Sequence, residues 1–289
     1  MSLLHVIILA IVQGFTELLP VSSSAHVIVA EKLMGLDPSS PPMTLLLVML
    51  HTGTMFAVIV YFWRQWRNTY FQSSAAFKES AGLVILATVL TGIVGEGCIK
   101  VIEKTLFRNV PHAQIEDLFG RLELIAPALA AAGVLILIAG IIEKRRPTGS
   151  LAESNELNAR QASLIGAVQG LCLPFRGFSR SGATISTGML AGVAKSRAES
   201  FSFALAVVLT PAVVARETLR LIQAERISNA PHLAAAMLPS LLGAVFAFVA
   251  GLLALKWLTR WLEGGRWYLF GIYCLFAAAV VAGLHRVGY

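Results

Sequence analysis

Charge is what this sequence lacks most. Only 13% of its 289 residues are Asp, Glu, Lys or Arg, against 56% hydrophobic, and the mean hydropathy is +0.74. A water-soluble domain spends about a quarter of its residues on charge, so the composition excludes that class. It predicts an all-α polytopic membrane protein. Cysteine is also scarce. Cys98, Cys172 and Cys274 are odd in number, far apart and set in apolar sequence, which excludes a disulfide framework or a zinc site and leaves packing as their task. The N-terminus lacks the basic n-region and the small-residue cleavage site of a signal peptide. The apolar run from Leu3 leads instead into Gln13, Glu17 and Pro20, so this segment is expected to be retained. The formal charge of +7 suits anionic lipid headgroups and calls for no nucleic acid.

What is present is apolar length. Met43 to Trp63, Leu124 to Ile142, Leu233 to Leu255 and Trp267 to Leu284 run without Asp, Glu, Lys or Arg for roughly the 18 to 23 residues that a spanning helix needs. Ala81 to Gly95 and Phe201 to Ala215 are shorter, but flanking side chains that snorkel make them spans as well. Two other apolar regions, 3–36 and 161–194, are each cut near the middle by a proline and a polar cluster. Each piece reaches only partway across, which predicts re-entrant half-helices meeting at a loop.

The order of these elements reads as a duplication. The first repeat covers 1–142, with a re-entrant pair at 3–36 and spans at about 43–63, 81–101 and 122–142. A polar linker at 143–160 leads to the second repeat at 161–289, with a re-entrant pair at 161–194 and spans at about 200–215, 233–257 and 267–285. Three crossings per half place the second copy upside down, the inverted-topology repeat of many transporters. Loops 64–80, 143–160, 195–200 and 256–266 hold the larger share of Lys and Arg. The positive-inside rule makes them cytoplasmic and puts both termini outside. The segment 103–121 is long enough for an amphipathic surface helix.

Chemistry-bearing residues collect in the two interrupted regions, VQGFTELLPVSSSAH at 12–26 and VQGLCLPFRGFSRSGAT at 168–184. Gln13 and Glu17 are four apart and share a helix face. Pro20 stops regular hydrogen bonding, and Ser22, Ser23 and Ser24 stand where a new helix needs caps. The free N–H groups and positive dipole end of such a start form an anion site. In the second copy Gly177 permits a sharp approach, Ser179 or Ser181 can cap, and Arg180 adds a planar fork suited to phosphate. An ionisable side chain at membrane depth costs roughly 2.5 to 3.5 kcal/mol, so Glu17 and Arg180 call for a joint explanation. One is a structural ion pair between the repeats. The other is a phosphate-processing site in which Arg180 holds the anion, a serine attacks and Glu17 takes its proton.

TELLPVSSSAH and GFSRSGATIS, with Gln13 and Glu17 in Gln-x-x-x-Glu spacing, resemble the two signature motifs of the bacterial undecaprenyl-diphosphate phosphatase family, also called the bacitracin-resistance protein. The resemblance extends over essentially the whole chain. It implies removal of the terminal phosphate from a polyprenyl diphosphate lipid in the bacterial cytoplasmic (inner) membrane, with the site toward the outer face. It also implies roles by position: Glu17 as the fixed glutamate, Ser23 as the favoured nucleophile, His26 as the histidine after the serine cluster, and Arg180 as the phosphate-binding arginine. Ser179, Ser181 and Thr184 are its hydroxyl neighbours, and with Gln13, Ser22, Ser24, Arg176 and Gly177 they are the candidates for binding the phosphate.

The chain departs from the pattern at two places. Gln13 stands where many members carry a second glutamate, leaving Glu17 as the single candidate carboxylate; the sequence itself requires no cofactor, and the Mg²⁺ or Ca²⁺ stimulation that the resemblance implies is less expected with one carboxylate. Arg176 is an added basic residue before Gly177, able either to contact the second phosphate or to snorkel. His26 is open to orienting a serine, acting as an acid or attacking phosphorus, with a supporting role favoured. His51, in LHTGT, is assigned to packing among small residues. The rival class is an anion or lipid-phosphate transporter on the same inverted-repeat site; a carboxylate beside a serine favours catalysis, since pure anion binding gains nothing from it. A homodimer is compatible with the sequence.

Overall fold

The computed structural model describes residues 2–37, 40–106, 118, 121–145, 156–228 and 232–288. Backbone groups that meet no water in a bilayer must pair within their own segment, and the described residues accordingly fold into helices with no strand. Four helices are short: α1 (Leu3–Leu18), α2 (Ser23–Leu33), α6 (Ala159–Leu171) and α7 (Arg180–Leu190). At 1.5 Å per residue they are about 17 to 24 Å long, less than the roughly 30 Å of hydrocarbon. Six are long and apolar enough to cross a membrane: α3 (Pro41–Tyr70), α4 (Ser74–Leu106), α5 (Leu122–Arg145), α8 (Lys195–Ser228), α9 (His232–Glu263) and α10 (Trp267–Arg286).

The spans are longer than their charge-free cores suggested. The two expected to be shortest, α4 and α8, have 33 and 34 residues. Charges at both ends bounded the sequence estimate, but helical hydrogen bonding continues past the apolar core into a zone where Lys, Arg and Glu are solvated. Most of 103–121 and the centre of the 143–160 linker lie outside the described residues, so the surface helix expected there is not described.

Local chemistry sets the ends of the short helices. Leu19 precedes Pro20 and is extended, with ψ 151°, and its N–H closes α1 on Phe15 O at 3.0 Å, as steric conflict with a following proline requires. Helix α6 starts two residues before the expected position because Asn158 and Gln161 form a reciprocal capping box. Gly177 has φ 100°, and a Cβ there would come within 2.5 Å of Ile125 O, so only glycine fits both the backbone and the space. Ser179 then caps α7 by accepting from Gly182 N at 3.2 Å.

Helix α1 packs on α9, α6 packs on α4, and α5 packs on α10. Small residues make each approach possible. A Cβ on Gly14 would meet Ala250 and Ala247 O, and one on Gly170 would meet Thr91 O at 2.8 Å. The Thr91 hydroxyl donates to Gly166 O at 2.9 Å, and Gln169 Nε2 donates to Thr91. At one end of the bundle Lys195 pairs with Glu143, the Arg197 guanidinium lies 4.9 Å above Tyr70, and Lys144 lies 4.9 Å above Tyr268. These three contacts bring the basic loops together. Gly14 meets α9 about halfway along its length, so the α1–α2 turn lies deep in the bundle.

Candidate active site

Glu17 lies in the last turn of α1, where the helix stops short of the far side of the bundle. Both of its carboxylate oxygens are engaged. Oε2 accepts from Ser23 Oγ at 2.6 Å and from Gln13 Nε2 at 3.2 Å, while Oε1 accepts from Arg180 Nη2 at 2.8 Å. The side chains of Glu17 and Arg180 are 17% and 23% exposed, an open margin that a ligand can reach. Gln13 is fully enclosed and fixes the carboxylate plane from one turn earlier.

The serine cluster is held by an unusual backbone. Ser22 has φ 68°, the one positive φ outside glycine among the described residues. It occupies the N-cap position of α2 without capping it; its hydroxyl instead meets Ser24 Oγ at 3.3 Å. Left-handed backbone at a non-glycine residue costs roughly 1 to 2 kcal/mol. Here it directs Ser23 at Glu17. Ser24 accepts from Gly177 N at 3.3 Å, and Ser181 Oγ donates to Leu19 O at 3.2 Å. Together with the ion pair, these bonds join the α1–α2 turn to the segment between α6 and α7 and to the start of α7. The starts of α2 and α7, each with N–H groups free of intrahelical partners, thus face a common space.

His26 has both ring nitrogens occupied. Nδ1 is 2.8 Å from Ser22 O and Nε2 is 2.7 Å from Tyr273 Oη, with the two rings stacked at 5.6 Å. Tyr273, on α10, was invisible to motif reading because it sits alone in an apolar span. His51 is the second residue missed, and its assignment to packing alone needs correcting. Its neighbour Gly53 does serve packing, against Ala244 of α9, but His51 Nε2 lies 3.8 Å from Glu17 Oε2. The signal available was a polar, titratable ring in a span otherwise free of charge.

Two predicted residues stand apart from the cluster. Thr184 is fully buried, and its hydroxyl bonds Arg180 O at 2.8 Å and pairs with Ser202, so it ties α7 to α8. Arg176 is exposed. It sits within electrostatic reach of Glu31 and at the edge of an apolar cavity of about 430 Å³ lined by Leu124, Ile125, Ala128, Leu171, Phe175 and Phe178.

One nitrogen of Arg180 completes the picture. Nη1 is buried and has no hydrogen-bond partner, a costly state for a guanidinium donor unless an anion is to meet it. With a hydroxyl bound to a carboxylate beside two helix starts, the arrangement suits transfer of a phosphoryl group to an oxygen nucleophile.

Comparison with known proteins agrees. The family model described as bacitracin resistance protein BacA matches residues 6–280. The chain belongs to the BacA family. It is 57% identical over 287 residues to undecaprenyl-diphosphatase 2 of Acinetobacter baylyi, covering 98% of both chains. It is also 34% identical to undecaprenyl-diphosphatase 1 of Burkholderia pseudomallei strain 1106a, covering 100% of this chain and 97% of the relative. BacA membership brings the Mg²⁺ or Ca²⁺ expectation to a test against this donor set. Among the described residues no three His, Cys, Asp or Glu side chains form a group able to hold a metal. The single carboxylate already has both oxygens engaged, one of them by a guanidinium. That set does not fit a resident divalent cation, which needs several oxygen ligands.

Proposed function

We propose that this protein is an integral-membrane phosphatase that hydrolyses undecaprenyl diphosphate to undecaprenyl phosphate and inorganic phosphate. It thereby recycles the lipid carrier of peptidoglycan and cell-wall polymer synthesis and confers bacitracin resistance. The observation that carries this reading is the Ser23 hydroxyl donated to Glu17 at 2.6 Å, at a helix start opposite Arg180. The terminal phosphate binds between the starts of α2 and α7, with Arg180 Nη1 donating to one of its oxygens. Ser23 Oγ attacks phosphorus as its proton passes to Glu17 Oε2. The P–O bond of the anhydride breaks, and undecaprenyl phosphate leaves with the bonding pair. Water then cleaves the phosphoserine, losing its proton to Glu17. His26, held at both nitrogens, keeps the first turn of α2 in place. Gln13 orients the carboxylate. Arg176, four residues before Arg180 and beside the apolar cavity, follows the phosphate next to the lipid chain.

The two halves form an inverted repeat, a reading supported by the exchanged packing of α1 on α9 and α6 on α4. In this arrangement the basic loop end faces the cytoplasm, both termini face outward, and the substrate enters from the outer leaflet of the bacterial inner membrane. Phosphate release from undecaprenyl diphosphate by the purified protein in detergent, beside Glu17→Gln, tests the function. Release by the parent and not the variant supports it. Release by neither, from folded protein with and without Mg²⁺ or Ca²⁺, overturns it and moves the question to lipid-phosphate flux in liposomes.

A further inference from the structure

His51 presents a ring with one settled nitrogen and one directed at the reacting atoms. Nδ1 is 2.8 Å from Leu47 O, an oxygen that only accepts, so Nδ1 carries a hydrogen and Nε2 of the neutral ring is left as an acceptor. Nε2 faces Glu17 Oε2 at 3.8 Å. This is the oxygen that holds the Ser23 hydroxyl, whereas Arg180 takes the other. Gln13, the remaining side chain at Oε2, cannot accept a proton at neutral pH. The His51 side chain is 36% exposed, so it is not sealed within the bundle.

We propose that His51 is a proton-relay residue that clears Glu17 between the two halves of the reaction. The proposal rests on the phosphatase reading above. When Ser23 attacks, its O–H bond breaks and the proton reaches Oε2. Glu17 must lose that proton before it can take another from the water that cleaves phosphoserine. His51 Nε2 accepts it as the Oε2–H bond breaks, and the resulting imidazolium releases it toward solvent. A gap of 3.8 Å is bridged by one water molecule or by the tightening that substrate brings.

Of the other charged or titratable groups on elements packed against α3, α1 adds His5, α9 has none between 233 and 255, and α4 has none between 81 and 95, its charges being Lys78 and Glu79 before that stretch and Glu96, Lys100, Glu103 and Lys104 after it. Helix α8 carries Lys195, Arg197 and Glu199 in its first turns and Arg216, Glu217, Arg220, Glu225 and Arg226 beyond Thr210, with none between 200 and 215, and Arg180 on α7 acts on Glu17 from the opposite oxygen.

The test compares the parent with His51→Ala and His51→Gln in detergent, measuring kcat, KM and melting temperature from about pH 5.5 to 9, with and without added imidazole. Loss of an assisted proton transfer is worth about 10²-fold. The expected result is a fall of that order in kcat for both variants, with KM within about twofold of the parent's. The pH profile of kcat should change in both variants, and imidazole should restore part of the rate in His51→Ala alone. The relay is overturned if both variants keep kcat within about twofold of the parent's. It is equally overturned if kcat falls together with melting temperature while the pH profile is unchanged and imidazole restores nothing. An inactive parent would overturn the phosphatase reading itself and the relay with it, whereas an active parent with fully active variants removes the relay alone.

Discussion

At the scale of single residues, the base proposed at Glu17 can be removed without changing the shape of the side chain. Glu17→Gln keeps the shape beside Ser23 and Arg180 and removes the base, so kcat is expected to fall about 10² to 10⁴-fold in protein that still folds, read as phosphate release per folded molecule. Ser23→Ala should lower turnover by at least about 10³-fold, and the same assay with radiolabelled substrate should lose the phosphoprotein band the parent shows. Arg180→Lys retains a charge but loses the fork that reaches Glu17 through Nη2 and leaves Nη1 for the proposed phosphate, so near-normal turnover there would refute the role proposed for that arginine. Tyr273→Phe removes the partner of His26 Nε2 at a cost of about 1 kcal/mol. A drop of roughly tenfold in kcat with little change in KM would match loosening of the first turn of α2. Glu17, Ser23 and Arg180 were legible in the sequence because polar residues clustered where an apolar run should continue. His51 and Tyr273 were not, because each stands alone in a regular span and acquires its partner only when α3 and α10 close on the α1–α2 turn.

At the scale of elements, the site depends on two helices that stop early and two that begin where they stop. Proline and glycine punctuation made both interruptions readable: Pro20 forces Leu19 out of the helix, and Gly177 takes a φ of 100°. Ser22 was harder to read. Its position suggested an ordinary cap, whereas it adopts φ 68° and leaves the cap unmade, while the next residue, Ser23, bonds Glu17 across the turn. Gly177→Ala adds left-handed strain of roughly 1 to 2 kcal/mol and a Cβ that runs into Ile125 O. It should lower activity far more than it lowers the melting temperature, since the displaced loop carries Arg180. A melting temperature that collapsed together with activity would show the loop to be a general support of the fold.

At the scale of the whole molecule, the basic loops gather at one end through the Lys195–Glu143 pair and the cation–ring contacts of Arg197 and Lys144. In a cysteine-free background, Gly35→Cys is expected to react with a membrane-impermeant maleimide on intact cells, and Ser73→Cys only after the membrane is opened. The reverse pattern would invert the proposed orientation. The sequence by itself determined the membrane setting, the six spans, the two broken regions and the residue types of the site. Hydropathy, proline and buried charge are local properties that a bilayer judges residue by residue. Only the tertiary structure decided that Glu17 and Arg180, 163 positions apart, share an ion pair, that Thr184 turns away to Ser202, and that His51 comes to the Glu17 carboxylate. Those outcomes depend on which glycines let α1 lie against α9 and α6 against α4, and close approach between distant helices leaves no periodic trace along a chain.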